Sequence, residues 1–269
     1  NCFFNLTCGQ RGCGKTFSFK EWCIADFIQN KKQFVWIRRY ESELKGNNKV
    51  ESVYNNFLKD LYKSERLQKL NFNENDFIIK KGVLYYQEKI KEGYTTDKGK
   101  EIAPKYKDIQ VGQFIALSKA DKRKSVVFSE DINKIIYDEF IIRENLTTRY
   151  LKDEVEILLD LVSTIQRERN NARVFLIGNA YSRFNPYFEY FGVKLTNDRF
   201  YIDKDRGLAV EQYKNNNFAK FMYDTNIGKL VKGTEYGDFS IENKYRNESG
   251  IFIQEIDTNN ATYLATLKY

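Results

Sequence analysis

Gly9-Gln10-Arg11-Gly12-Cys13-Gly14-Lys15-Thr16 satisfies the pattern G-x-x-x-x-G-K-(S/T), and the chain on either side supplies the setting that this pattern requires. The apolar run Phe3 to Cys8 reads as a buried strand leading in. Phe19, Trp22, Cys23 and Phe27 recur at three- and four-residue spacing, which predicts a helix from about Lys15 to Gln29 leading out. Strand, Gly-rich turn and helix together predict a phosphate-binding loop. The glycines let the backbone close around an anion, and N–H groups at the helix N-terminus point at it. Lys15 reaches the β- and γ-phosphates, and Thr16 supplies a ligand to Mg²⁺. Gly9, Gln10, Arg11, Gly12, Cys13, Gly14, Lys15 and Thr16 are therefore the expected nucleotide-binding residues, with ATP and Mg²⁺ as ligands.

Outward from this loop, Gln33 to Arg39 (Q-F-V-W-I-R-R) reads as a second strand, which completes a βαβ unit and implies a parallel sheet. Asn133 to Glu139 (N-K-I-I-Y-D-E) is an apolar strand that delivers two acidic groups at its end, where an open α/β sheet keeps its ligand crevice. There Asp138 would hold Mg²⁺ through water, and Glu139 would orient and deprotonate an attacking water. The alternative is a carboxylate pair facing solvent at a strand end. The long separation of Lys15 from Asp138 favours the additional-strand, catalytic-glutamate (ASCE) class over kinases and small GTPases. Arg173 to Gly178 is a further buried strand, closed by Asn179, which reads either as a sensor of the γ-phosphate or as a turn-forming residue. Val155, Leu158, Leu159 and Val162 predict a sheet-packed helix from about Asp153 to Gln166. Arg167 and Arg169 follow it, either as solvated charges at a helix C-terminus or as an arginine finger for a neighbouring subunit. Lys122-Arg123-Lys124 is a compact basic run, either solvated or facing phosphate. Arg38 and Arg39 end the second strand near the expected nucleotide.

Elsewhere the patterning predicts a polar helix around Val50 to Leu70 and a hairpin of Phe77-Ile78-Ile79 with Val83-Leu84-Tyr85-Tyr86. Residues 87–108 mix charges with Gly and Pro and read as a mobile, solvated insertion. The expected organisation is an ATPase domain over 1–215 and a linker module over 216–248, with a helix near Phe218 to Tyr223. Residues 249–269 are expected to be the first strands of a β-rich domain. The predicted fold class is thus α/β, a P-loop NTPase with a mainly parallel central sheet flanked by helices.

Composition narrows the chemistry. The 269 residues contain no His, which removes Ser-His-Asp and Cys-His catalysis and His-based zinc sites. Cys2, Cys8, Cys13 and Cys23 lack C-x-x-C spacing, which argues against a zinc ribbon or a disulfide framework and fits a reducing cytosol. Lys and Arg exceed Asp and Glu by 44 to 37, a balance that favours polyanionic partners without requiring them. No window approaches the roughly 20 apolar residues of a membrane helix, so a soluble protein is expected.

Several of these stretches together resemble the DNA-packaging motor ATPases of phi29-like tailed phages. They are the loop Gly9 to Thr16 with its unusual Arg11, Ile37-Arg38-Arg39-Tyr40 with Glu43-Leu44, and Asp138-Glu139-Phe140-Ile141. Asn179-Ala180 with Asn185-Pro186-Tyr187-Phe188, and Gly233-Thr234-Glu235-Tyr236-Gly237, complete the set. The resemblance implies a homo-pentameric ring, docked from the host cytoplasm on the portal vertex of an empty phage head. There it would hydrolyse ATP to translocate double-stranded DNA, with a packaging RNA as a further candidate partner. It also implies Arg167 as an arginine finger acting in trans, Lys124 as a second interface cation, and an RNase H-like C-terminal domain of which this chain holds a truncated start. Two other readings are a P-loop ATPase of phage assembly or secretion, and a basic nucleic-acid-binding protein with a structural nucleotide.

Overall fold

Strands covered on both faces need apolar side chains at every position, and the longest apolar runs of the sequence are used in this way. Val35 and Ile37 enter one core cluster and the intervening Phe34 and Trp36 the other. Ile135 and Tyr137 likewise oppose Ile136. The structure, a computed structural model, describes residues 2–46, 52–95, 101–123, 127–143, 148–167, 169–195 and 198–245.

In chain order the strands are β1 (Phe4–Gly9), β2 (Gln33–Arg38), β3 (Phe77–Lys80), β4 (Val83–Lys91), β5 (Tyr94–Thr95), β6 (Glu101–Ile102), β7 (Lys105–Ala116), β8 (Ile132–Asp138), β9 (Arg173–Asn179), β10 (Phe200–Asp203) and β11 (Leu208–Tyr213). The helices are α1 (Lys15–Asn30), α2 (Glu41–Lys45), α3 (Val53–Asn56), α4 (Glu65–Lys69), α5 (Glu154–Gln166), α6 (Pro186–Phe191), α7 (Asn216–Asp224), α8 (Asn226–Val231) and α9 (Glu235–Ser240). The main sheet has the order β10-β11-β1-β9-β8-β2-β7-β4-β3. Its inner strands, β11 to β7, are parallel, β10 and β4 flank them antiparallel, and β3 closes the edge by pairing antiparallel with β4. The fold is thus the mixed α/β sheet of the ASCE P-loop class, with β9 inserted between the phosphate-loop strand β1 and the acidic strand β8.

α1 packs on one face with Phe34, Trp36 and Phe57, and α5 on the other with Ile135, Val174 and Leu176. Lys134, fully buried on β8, ties α1 to the sheet through an ion pair with Asp26, and its ammonium lies 5.1 Å from the Trp22 ring. After β11 the caps Asn215, Thr225 and Thr234 each accept the N–H three residues on and start α7, α8 and α9.

Three expectations change. The polar helix around Val50 to Leu70 is broken into α3, a 3-10 turn at Leu61–Lys63 and α4, because Ser52 and Ser64 each cap a new start. The mobile loop expected at 87–108 is instead, where described, an antiparallel ribbon in which Gln87 pairs with Asp108 and Lys89 with Tyr106. It is exposed on both faces, so no apolar alternation marks it in the sequence. The single helix expected after Tyr213 is three. Lys122 and Arg123 lie in a 3-10 turn, Leu117–Arg123, whereas Lys124 and the strands expected over 249–269 fall outside the described residues. No helix among the described residues is long and apolar enough to cross a membrane.

Asp26→Asn is expected to lower stability by about 2 kcal/mol, because Lys134 would lose its charged acceptor. Burial opposes ionisation of Asp26, but hydrogen bonds from Asn30, Lys134 and Asn133 outweigh it and hold the carboxyl below its ordinary value. The contribution is therefore present above the ordinary Asp value of about 3.9 and is lost as pH falls through the lower folded value. Urea melts of the two proteins should converge at acidic pH. A gap that persists there would show that Asp26 acts by packing rather than by charge.

Candidate active site

The parallel strands bring their C-terminal ends to one edge, and β1, β8, β9 and β2 deliver the chemistry to a cavity of about 390 Å³. β1 ends at Gly9, where an added Cβ would lie 3.1 Å from the Tyr213 carbonyl oxygen and 3.2 Å from Lys15 Cδ. Gly12 and Gly14 adopt φ +80° and +87°, a region L side chains avoid, which lets the loop wrap before α1 begins at Lys15. Lys15 Nζ donates to the carbonyls of Gly9 (2.9 Å) and Gln10 (2.6 Å) and to Asn179 Oδ1 (3.1 Å). Burial pulls its ammonium below the ordinary value, opposed by Cys13. Arg11 and Gly12 line the cavity with Lys15 and Thr16, while Cys13 lies 3.7 Å from Lys15 Nζ.

Thr16 Oγ1 donates to Asp138 Oδ1 at 3.2 Å, so hydroxyl and carboxylate converge where a divalent cation needs oxygen ligands. Burial pushes the Asp138 carboxyl above its ordinary range, with Arg38 opposing. Glu139 follows at the cavity wall. Asn179 ends β9, so its amide sits between the phosphate loop and the acidic strand.

Of Arg38 and Arg39, which the sequence placed near the expected nucleotide without a role, Arg38 reaches the acidic pair. Its Nη1 donates to Asp138 Oδ2 at 3.1 Å, its Nη2 pairs with Glu139 Oε2, and its Nε lies 3.5 Å from Glu43. Burial alone would lower the guanidinium, but Asp138, Glu139 and Glu43 hold it raised. Its position at the end of the second predicted strand, near the expected nucleotide, was the available signal; that this strand lies beside the acidic one is seen only in the sheet.

Gln10, expected among the nucleotide-binding residues, is fully buried and does not line the cavity. Its side chain accepts from the Asn215 N–H at 2.6 Å and donates to the carbonyls of Asn215 and Ile241. With Arg11 N–H donating to the Ser240 carbonyl, it joins the phosphate loop to the α7–α9 module. Arg167 is not brought to this cavity. It ends α5, whose first residue Glu154 lies at the site edge of the sheet, and a 13-residue helix separates them by about 20 Å.

The sequence profile of the Podovirus DNA encapsidation protein (Gp16) family matches residues 1–108 and 98–269 of the chain. The DNA packaging protein of Bacillus phage B103 is 32% identical over 256 residues, 95% of this chain and 68% of that protein. That of Bacillus phage phi29 is 30% identical over 252 residues, 93% of this chain and 64% of that protein. The chain therefore spans about two thirds of the length of these relatives. Among solved structures, the N-terminal domain of the bacteriophage phi29 DNA packaging ATPase superposes with a TM-score of 0.57 at 29% identity, covering 78% of this chain and 89% of that one. A chain of the phi29 genome packaging motor assembly gives 0.60 at 27% identity, covering 94% and 66%.

Arg38→Met should leave Asp138 and Glu139 without their cation, lowering metal-free stability by about 3 kcal/mol and tightening Mn²⁺ binding by the nucleotide-free protein. Calorimetric titration with Mn²⁺ checks this. Equal affinity in the variant would mean that Arg38 does not compete for the cation position.

Proposed function

This chain belongs to the Podovirus DNA encapsidation protein (Gp16) family, and on that premise we propose that it is the ATPase portion of a motor that drives double-stranded DNA into a preformed phage head. One observation carries the proposal: Lys15, Thr16, Asp138, Glu139 and Asn179 converge on the same cavity. That set binds a nucleoside triphosphate and hydrolyses it.

The residues fit the ligand. Gly12 and Gly14, both at positive φ, open the loop, the N-terminus of α1 faces the cavity, and the Thr16 hydroxyl meets the Asp138 carboxylate. Mg²⁺ held by Thr16 and Asp138 would neutralise charge on the β- and γ-phosphates. Lys15 would exchange its loop carbonyls for phosphate oxygens. Glu139, once released from Arg38, accepts a proton from the attacking water, and Asn179 hydrogen-bonds that water or the γ-phosphate. Arg38, freed by the same exchange, remains within reach of the developing charge.

A ring of such chains completes the site. Arg167 lies far from its own cavity and at the surface, a position suited to entering a neighbour's, and the family resemblance adds Lys124 as a second interface cation. The pentamer, the portal vertex and a packaging RNA come from family resemblance alone, and the basic balance of the chain suits DNA.

Glu139→Gln should bind ATP with wild-type affinity and release no phosphate, since the amide cannot take the water's proton. Wild-type phosphate release by the variant would remove Glu139 as the base. Hydrolysis should rise with double-stranded DNA, and DNA affinity should fall with salt at a slope near −0.9 per phosphate neutralised. Mixing Arg167→Ala subunits with Lys15→Ala subunits should restore part of the hydrolysis that each lacks alone. No recovery would confine Arg167 to a structural role.

A further inference from the structure

Glu139 is a non-glycine residue at φ +70°, in the left-handed region that L side chains rarely occupy. Such a conformation persists only where the surroundings fix it. Here the fixing groups are identifiable. The N–H groups of Glu139 and Phe140 both donate to the Ile177 carbonyl, at 2.7 and 3.3 Å. Their carbonyls both accept from one guanidinium, Glu139 O from Arg39 Nη1 at 3.2 Å and Phe140 O from Arg39 Nη2 at 2.9 Å.

Arg39 is itself held. It is 1% exposed, and its Nε and Nη2 donate to the two oxygens of Glu154 at 2.7 and 2.9 Å. Its guanidinium lies 5.5 Å from the Tyr137 ring and 5.1 Å from the Tyr150 ring. Glu154, 2% exposed, also accepts from the Tyr137 hydroxyl (2.9 Å), the Tyr187 hydroxyl (2.7 Å) and the Leu151 N–H (2.8 Å). Each carboxylate oxygen has at least two donors, and the guanidinium bridges a carboxylate to two main-chain carbonyls, which only a planar fork can do.

We infer that Arg39 and Glu154 are positioning residues that hold the backbone of Glu139 in its left-handed conformation and so aim its carboxylate into the cavity. The inference rests on Glu139 being the base. Arg38 and Arg39, adjacent in sequence, project to different sides of the chain, and they hold different parts of the same residue. Arg38 pairs with the Glu139 carboxylate and Arg39 with its carbonyl. Without the Arg39 fork, Glu139 can relax to negative φ, which swings its side chain away from the water it must activate. Nucleotide binding is untouched, since neither Arg39 nor Glu154 lines the cavity.

The test is Arg39→Lys in the full-length protein, with DNA-stimulated phosphate release measured across ATP concentration. A lysine keeps the buried charge and loses the fork. Its kcat should fall about 100-fold while KM, and the affinity for a fluorescent ATP analogue, stay within about twofold. A role in stability alone would lower the melting temperature and leave kcat per folded molecule intact, and that result would overturn the inference. If Arg39→Lys does not fold, Tyr187→Phe decides. It removes one donor from Glu154, and kcat should fall several-fold at constant KM, whereas wild-type kcat would overturn the inference. Glu139→Gln serves as the reference. If it is inactive while Arg39→Lys turns over normally, only the positioning role fails. If Glu139→Gln is active, the assignment of the base fails and the positioning role with it.

Discussion

Asp138 sits buried at the end of β8 with the Glu139 carboxylate beside it, and much of the surrounding structure answers that concentration of negative charge. A buried carboxylate with a second, more exposed one beside it needs cations or donors close by. Thr16 supplies a hydroxyl, Arg38 a guanidinium that touches both acids, and Lys20 on α1 an ammonium whose field reaches Asp138. Thr16 and Asp138 would hold the divalent ion of a bound nucleotide, and its charge would supply part of the neutralisation that Arg38 provides here.

Behind the acids lies a second layer. Arg39, Glu154, Tyr137 and Tyr187 form a buried network whose outward donors end on the Glu139 and Phe140 carbonyls. A buried pair of this kind contributes little net stability beyond an apolar replacement, but losing one partner costs about 3–5 kcal/mol. Such networks serve specificity of geometry better than they serve stability. Because Glu154 starts α5, that helix is tied through Arg39 to the Glu139 turn at one end and carries Arg167 at the other. In the proposed ring, the setting of Glu139 in one subunit and the placement of Arg167 toward its neighbour would share a single element. Gln10 makes a similar connection in the other direction, from the phosphate loop to the module of α7, α8 and α9.

Much of the local structure was legible because its causes are local. The loop from Gly9 to Thr16, the helix α1 behind it and the strands β2, β8 and β9 follow from periodicity, glycine placement and apolar runs, and they appear within about two residues of expectation. The failures have physical reasons too. The ribbon of β4 and β7 beyond Gln87 is hydrated on both faces, so it carries no alternation to read, and its pairing is visible only as cross-strand register. The break of the Val50 to Leu70 helix depends on Ser52 and Ser64 acting as caps, and a serine inside a polar stretch gives no sign of whether it caps or faces solvent.

The sequence by itself determined the identities and spacing of Lys15, Thr16, Asp138, Glu139 and Asn179, and with them an α/β fold whose strand ends converge on one cavity. It could not order the strands. The long separation between Lys15 and Asp138 does not hold the strand that lies between β1 and β8. That strand is β9, which follows both, while the intervening residues build β2 and the far half of the sheet. Nor could it assign Arg38, Arg39, Gln10 or Glu154. Each takes its partner from a different part of the chain, and a polar side chain acquires a role only when folding removes it from water and leaves it one set of groups to bond.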